Sequence, residues 1–460
     1  METVPKPIGL SDPPPAASRA PRWVMLKRRY DDDVDDDDAD SSVADANTTA
    51  ASCTSSGQRF TVSFAIAPPP ATTIFYCNWL GAAAGAAAGD ANNHFSVHEV
   101  FPRVRAHDKS MDLSIIAAHD DSVLIKMRVP EVPGGVRHTL TASFDYFLYE
   151  TGGAAAAPRP PTLTLLPGCY DSTEFFERES DDDRDRPHSL DVANTAVLRR
   201  DGGELLVAHL QVLYGDGEPP DDTAELCVLR PGREWELMQL RIEHHDGGVL
   251  PAEWPHMDAA VAVGGRFMCC VDYVTGLFVC DVADTSSELR LRYVPLPVPM
   301  PQQYKVCADR PYMAYCRNLA ADGQDAVRFV SVGPRCCCGG AGKTECERSR
   351  FAFNVTTWNL TLKMEEPMKW VKDVVLDCDE LWQLPNYGSL PRVPLQYPIV
   401  SSDNPDIVCF TLRERNYIEK GDYTEWMLQV DTRRKELLSV IRGDTDLYMD
   451  DRVPANLRWQ

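Results

Sequence analysis

The most constraining feature of this chain is a serial repetition of short strand-like runs with no helical period to compete with them. Runs rich in Val, Leu, Phe, Tyr and Trp occur at 122–128 (SVLIKMR), 144–150 (FDYFLYE) and 162–166. A second group runs 195–198, 204–212 (ELLVAHLQV), 224–229 and 235–242, and a third 259–263, 266–271, 277–282 and 289–296. A fourth comprises 312–317, 327–332, 351–360 and 368–376, and a last 407–413, 425–431 and 436–442. β-Branched and aromatic side chains suit a pleated, half-buried surface, so such runs read as strands. No window keeps the i, i+3, i+4, i+7 apolar spacing of a long amphipathic helix without Pro or Gly.

Each group reads alike: strand, Gly/Asp turn, strand, longer turn, a strand ending near Asp or Arg, then an outer strand. The unit recurs at intervals of roughly 50–80 residues, a serial-repeat signature. This predicts an all-β fold, a β-propeller-like ring of about five to six antiparallel blades carrying disordered acidic and Ala/Gly-rich insertions. Residues 23–29 and 59–66 supply a further blade or the strand that closes the ring with the C-terminus. The other all-β arrangement is two stacked sandwiches divided at the Pro-rich stretch 295–301 (PLPVPMP).

Within 460 residues the expected organisation is a disordered leader over 1–22, one β-propeller-like domain over 23–450 and a C-terminal tail over 451–460. The leader is Pro-rich and holds no apolar core of a secretory signal. Residues 31–58 read as a disordered insertion, opening with DDDVDDDDAD, because a like-charge block repels itself. The stretches 81–89 (GAAAGAAAG) and 152–161 are further insertions, and 333–350 is a Cys/Gly-rich loop. With 46 Lys plus Arg against 69 Asp plus Glu the net charge is −23. That balance argues against nucleic acid or an anionic membrane as partner, since both need clustered positive charge. No stretch reaches the roughly 18 uninterrupted apolar residues of a membrane span.

Fifteen cysteines are spread over a long chain with no export signal, and most sit in apolar runs, as at Cys227, Cys269, Cys270, Cys280 and Cys409. Reduced cysteine behaves there as a small hydrophobe. The expectation is an intracellular, soluble protein with free thiols, in cytoplasm or nucleus.

The stretch 254–297 is a meander, with Gly264-Gly265 in a tight hairpin and Asp272 and Gly276 framing the next turn. Its marks are Trp254 followed by Asp258, Gly264-Gly265-Arg266, Val271-Asp272, Gly276-Leu277, Cys280-Asp281-Val282, and Arg292-Tyr293-Val294-Pro295-Leu296-Pro297. These residues resemble the plant domain-of-unknown-function family 1618 (DUF1618), a family numerous in grasses. Trp23-Val24, 145–149 (DYFLY) and 163–167 (LTLLP) also fit its order, so the resemblance spans most of the chain. It departs at Tyr273-Val274-Thr275, where an aromatic or basic residue is expected before Gly276. The resemblance implies a fold but no activity, and its marked residues read as structural. The meander also resembles F-box-associated and kelch-type propellers, but a 22-residue leader is too short for an F-box domain.

Candidate chemistry is sparse. Gly339–Thr344 (GGAGKT) lacks the leading glycine of a phosphate loop, its place being taken by Cys337, and a strand-like run follows where a helix is needed. Cys336, Cys337, Cys338 and Cys346 could ligate zinc as thiolates, but adjacent cysteines do not easily face one ion, and an oxidisable thiol cluster is the plainer reading. His94, His98 and Glu99 partly echo a metalloprotease helix, which Pro102 would break. Ser331 sits in FVSVG, with Phe329 where a nucleophile elbow needs glycine. His209, His244, His245 and His256 have no partner visible in sequence, and Trp235, Trp358 and Trp426 read as core between blades. No catalytic, cofactor or metal residue is assigned.

The expected function is therefore a non-catalytic interaction scaffold binding another protein, with neither partner nor oligomeric state specified. A propeller enzyme, hydrolase- or isomerase-like with a polar axial pocket, is the alternative. A third idea is that the acidic tract 31–40 recruits a basic partner.

Overall fold

Alternation of buried and exposed side chains along 353–361 (FNVTTWNLT) is typical of how this chain makes strands: Phe353, Val355 and Leu360 turn inward and Asn354 and Thr361 outward. The computed structural model describes residues 21–29, 44–80, 113–128, 144–153, 159–168, 189–200, 203–213, 223–244, 256–283, 289–299, 312–335, 351–414, 424–443 and 452–459. The fold is all-β, as the sequence predicts. Among the described residues no helix is long and apolar enough to cross a membrane.

The first sheet contains β1 (Val24–Lys27), β2 (Asp45–Cys53), β3 (Arg59–Ala65) and β4 (Thr72–Trp79). The second is a meander of β5 (Leu113–His119), β6 (Ser122–Arg128), β7 (Phe144–Glu150) and β8 (Thr162–Leu165). The third runs β9 (Thr195–Arg199), β10 (Leu205–Leu213), β11 (Thr223–Leu229) and β12 (Trp235–His244). The fourth runs β13 (Ala259–Val263), β14 (Phe267–Asp272), β15 (Gly276–Asp281) and β16 (Leu291–Pro295). β17 (Arg317–Ala321), β18 (Ala326–Pro334), β19 (Phe353–Thr361) and β20 (Val371–Asp377) make the fifth. β21 (Gln396–Val400), β22 (Ile407–Glu414), β23 (Thr424–Asp431) and β24 (Glu436–Arg442) make the sixth. β25 (Arg452–Ala455) then returns to the first sheet, antiparallel to β1, with Val24 opposite Ala455.

The third and fourth units join by parallel pairing of β12 with β16, giving an eight-stranded sheet whose edges β9 and β13 also meet, so that it is nearly closed. The first strands of sheets two to six, with β25 standing for the first sheet, contact one another in succession: β5 with β9, β9 with β13, β13 with β17, β17 with β21, β21 with β25, and β25 with β5. Apolar side chains fill every junction. Phe60, Phe64, Phe147 and Tyr149 lie between sheets one and two, Val197, Val207 and Trp235 between two and three. Leu226, Phe278 and Tyr293 lie between three and four. Val271, Phe329, Val355, Phe410 and Leu428 run through four, five and six, and Trp23, Met25, Cys409 and Met427 join six to one. Each fully buried side chain of this size contributes roughly 1.5–3 kcal/mol.

Three expectations need correction. Residues 31–58 do not all lie outside the fold, because Asp45–Cys53 forms β2, hydrogen-bonded to β3, with Thr48 and Ala50 buried. Residues 451–460 are not a loose tail: Arg452–Ala455 is β25, and Leu457 and Trp459 are buried. Residues 312–317 are not a strand, since Met313–Tyr315 makes a 3-10 turn before β17. A short helix, α1 (Cys378–Trp382), also follows β20. The leader 1–20, the tract 31–40 and the insertion 81–89 lie outside the described residues.

Candidate functional site

Among the described residues a polar cluster sits where sheets five and six meet. Arg328, third in β18, is 3% exposed. Its guanidinium lies 3.0 Å from Asp373 Oδ2, 3.1 Å from Asp406 Oδ1 and 3.4 Å from Asp322 Oδ2. The Asp406 contact, made by Arg328 Nη2, is an ion pair off the hydrogen-bonding line, since Asp406 Oδ1 has no aligned donor. From the β23–β24 turn, Arg433 donates to Asp373 at 2.6 Å and to Asp406 at 2.9 Å. Those two bonds push the Arg433 guanidinium well above its ordinary range.

Local turns fix these groups. Ser401 Oγ accepts the N–H groups of Asp403 and Asn404, Asn404 Oδ1 accepts that of Asp406, and Thr432 donates twice to the Asp406 carbonyl. Asp431 Oδ1 accepts the Arg434 N–H at 2.8 Å. Beside the cluster opens a cleft of about 250 Å³, lined by Asn404, Asp406, Ile407, Asp431, Arg433, Arg434 and Leu438. Its apolar walls are Ile407 and Leu438, and its rim carries Arg433 and Arg434, paired with Asp406 and Asp431. The carboxylates contact guanidinium groups, so the arrangement is a clamp between sheets rather than an acid–base pair.

Arg199 does the same between sheets two and three, meeting Asp121 Oδ1 at 2.7 Å and Glu150 Oε1 and Ser122 Oγ at 2.6 Å. Ser122, His119 and Asp121 are thus neighbours, yet they form no triad. Ser122 Oγ donates to Asp121, while His119 Nδ1 accepts the backbone N–H of Arg199 at 3.2 Å. Burial lowers the His119 pKa, against the opposing pull of Asp120. His209 and Thr195 form a buried pair at 3.0 Å, with Thr195 Oγ1 also accepting the Asp191 N–H. His256 is exposed. His244 belongs to β12, and His94, His98 and His245 lie outside the described residues.

Asp377, Cys378 and Asp379 bring three potential metal-ligand atoms within 4.8 Å of one another. Asp377 is the N-cap of α1 in a capping box with Glu380. Arg335 already occupies the carboxylates, at 2.6 Å from Asp377 and 2.8 Å from Asp379, which opposes a second cation. Burial pushes the Cys378 thiol up. The cysteines 336–338 and 346, with 339–344, lie outside the described residues. Nine described cysteines are free, and eight of them are buried. Burial pushes Cys77 and Cys280 up to about 12, so little thiolate exists near neutrality. Alkylation of the native protein, followed peptide by peptide, is expected to modify exposed Cys53 first and Cys77, Cys269, Cys270 and Cys280 only after unfolding. Equal rates at Cys53 and Cys280 would contradict that order.

The family-marked residues occupy turns and junctions. Asp258 accepts the Tyr273 N–H at 2.7 Å, and Asp272 caps the next turn through Val274 N–H and Thr275 Oγ1. Gly264 has φ of 54°, and a Cβ there would lie 2.5 Å from the Gln324 carbonyl oxygen in the fifth sheet. A Cβ on Gly265 would lie 2.5 Å from the Arg199 carbonyl oxygen, and one on Gly276 2.5 Å from the Tyr293 ring. Arg266 pairs with Asp281. Arg292 reaches Glu243 of β12 and the Glu366 carbonyl, tying three sheets. Pro295 accepts the Trp370 indole N–H at 2.8 Å, Cys280 is buried, and Pro297 follows β16. The departing tripeptide is internal: Tyr273 and Val274 are buried, and Tyr273 Oη accepts the Leu319 N–H. Trp254 lies outside the described residues. Trp235 is buried, and Trp358 and Trp426 pack against the core.

Arg199, Arg328 and Arg433 were not singled out from the sequence. Their one signal is the Asp or Arg at strand ends that marks each repeated group.

Residues 271–409 match the model of the family described as "Protein of unknown function (DUF1618)". That supports the family resemblance, with Trp254, Asp258 and 264–266 lying ahead of the matched residues. No curated protein matches the chain. Among solved structures, the tricorn protease is 11% identical with a TM-score of 0.18, over 73% of this chain and 26% of that one. Fructan 1-exohydrolase IIa from Cichorium intybus is 9% identical with a TM-score of 0.22, over 73% and 58%.

Proposed function

We propose, taking the DUF1618 match as premise, that this chain is a six-bladed β-propeller-like ring acting as a non-catalytic scaffold that binds another protein. The circuit of first strands and the filled junctions support six blades. The observation that carries the binding reading is an aromatic patch at one end of the fifth sheet. Tyr312 and Tyr315, 50% and 45% exposed, are the N-cap and the last residue of the 3-10 turn that leads into β17. Phe351, 47% exposed, stands just ahead of β19. Register puts both at one end, because Arg317 pairs with Ser331 and Pro334 with Phe353. Partly buried tyrosines at a surface are the residue type that anchors protein interfaces. Burial and the neighbouring Cys316 push the Tyr315 hydroxyl up to about 12, so it stays protonated and can donate. The marked residues at 258–297 serve this reading by holding the blades, not by chemistry. Free buried cysteines support a reducing intracellular setting, cytoplasm or nucleus.

Affinity capture with the full chain as bait, beside a Tyr312→Ala/Tyr315→Ala variant, tests the scaffold. One stoichiometric protein is expected with the parent chain and at least about tenfold less with the variant. Equal recovery by both, or no reproducible protein, would sink the reading.

A further inference from the structure

The tight turn between β5 and β6 pairs His119 with Ser122 and holds Asp120 in the left-handed region, at φ of 49°. Asp accepts that conformation more readily than most residues. The turn meets the end of β9 across the junction of sheets two and three. There the Arg199 guanidinium contacts Asp121, Ser122 and Glu150 of sheet two, while the Arg199 backbone N–H donates to His119 Nδ1 at 3.2 Å. The Arg199 carbonyl oxygen lies against Gly265 of the fourth sheet, where a Cβ would come within 2.5 Å. Three sheets thus converge on one residue.

Among the described groups of this joint, His119 is the one whose charge changes near neutral pH. To accept from the Arg199 N–H its ring must be neutral, with the hydrogen on Nε2. A proton from solvent at Nδ1 sets donor against donor and adds a cation beside the Arg199 guanidinium. Little offsets this. From the same turn Asp120 Oδ2 stands at 3.8 Å, beyond hydrogen-bonding reach, on a side chain 53% exposed to water. Asp121, and Glu150 from β7, are already held by Arg199. The His119 side chain is itself only 14% exposed, which further disfavours the charged ring.

We propose that His119 is an acid-sensitive latch, releasing the Arg199 backbone when Nδ1 takes a proton and loosening sheet two against sheets three and four. The parallel pairing of β12 with β16 keeps those two sheets together. Val197, Val207 and Trp235 stay buried between sheets two and three, so the release is local and the junction stays packed. The inference is independent of the scaffold reading.

Above about pH 6.5 the ring is neutral whether the latch is closed or open. Below it the open form takes the proton first, because the closed form is the one that disfavours charge. Opening should therefore grow by up to about tenfold per pH unit, until the closed form is protonated too.

Hydrogen exchange of the full chain, read at the Arg199 amide and corrected for the intrinsic pH dependence of exchange, tests the latch. Between about pH 7 and pH 5 its protection is expected to fall about tenfold or more, while the amides of β18 in sheet five keep theirs. His119→Asn sets a non-titrating amide oxygen close to the place of Nδ1, so protection there should stay flat with pH. His119→Phe offers no acceptor and should show low protection at both pH values. Asp120→Asn, which suits the φ of 49°, should leave the fall at least as large. The proposal is overturned if Arg199 protection does not change with pH, or if it falls equally in His119→Asn. Parent-like protection at pH 7 in His119→Phe overturns it as well. So does loss of the fall in Asp120→Asn, which would make that carboxylate the titrating group, or an equal fall in β18, which would mean global unfolding.

Discussion

Replacing Arg328 with methionine is expected to lower the unfolding free energy by about 3–5 kcal/mol, the cost of taking from three partly buried carboxylates the cation they share. The guanidinium is the only group that reaches Asp322, Asp373 and Asp406 together among the described contacts. Arg433 still meets Asp373 and Asp406 in the variant, but nothing described replaces the contact to Asp322. Those carboxylates retain 19–24% exposure, so water offsets part of the loss and the lower end of the range is expected. Adding Asp322→Asn removes the stranded charge and should recover roughly 1–2 kcal/mol. Urea unfolding measures both, with the midpoint moving and the slope unchanged. A loss under about 1 kcal/mol for Arg328→Met would mean that the sheets are held by their apolar junction alone.

Trp459→Ala should cost a similar amount, about 3–5 kcal/mol, by a different route. Trp459 is 8% exposed, lies 5.6 Å from the Phe64 ring and donates its indole N–H to Tyr149 Oη at 2.7 Å. Tyr149 Oη in turn donates to the Thr48 carbonyl at 2.7 Å, and burial raises its pKa well above the usual range. Alanine there leaves a cavity between the first two sheets and removes one partner of a buried hydroxyl. Trp459→Phe keeps most of the ring and loses the N–H, so about 1 kcal/mol is expected from it. The gap between the two variants measures packing against hydrogen bonding. If Trp459→Ala unfolds with the parent's midpoint, the segment after β25 is not part of the core.

The meander at 259–296 was legible because its strands are apolar on both faces and bounded by Gly264-Gly265 and Asp272–Gly276, and β13–β16 follow it closely. β2 was not legible: Asp45–Cys53 is built of small residues, three of them alanine, with no bulky apolar alternation, and pairing with β3 rather than its own pattern makes it a strand. β25 failed to announce itself for a related reason, since four residues with Pro454 among them form a strand only because β1 is there to pair. The Arg328 cluster draws on five separate turns and strands, and no spacing in the sequence joins Asp322 to Asp406. Its strand-end charges were visible, but their partners were not.

The pairing of Val24 with Ala455 has a consequence for biosynthesis. β1 leaves the ribosome ahead of β2 to β24, and its antiparallel partner β25 only after them. At about 5–20 residues per second, Val24, Met25 and Leu26 wait on the order of a minute before Ala455 and Pro454 exist to pair with them. During that interval an apolar edge is open to any passing strand, a hazard that falls on the newborn chain rather than on the finished protein. Chaperone demand during translation should therefore be set by the closing strand, and a permuted gene joining β25 directly ahead of β1 should relieve it.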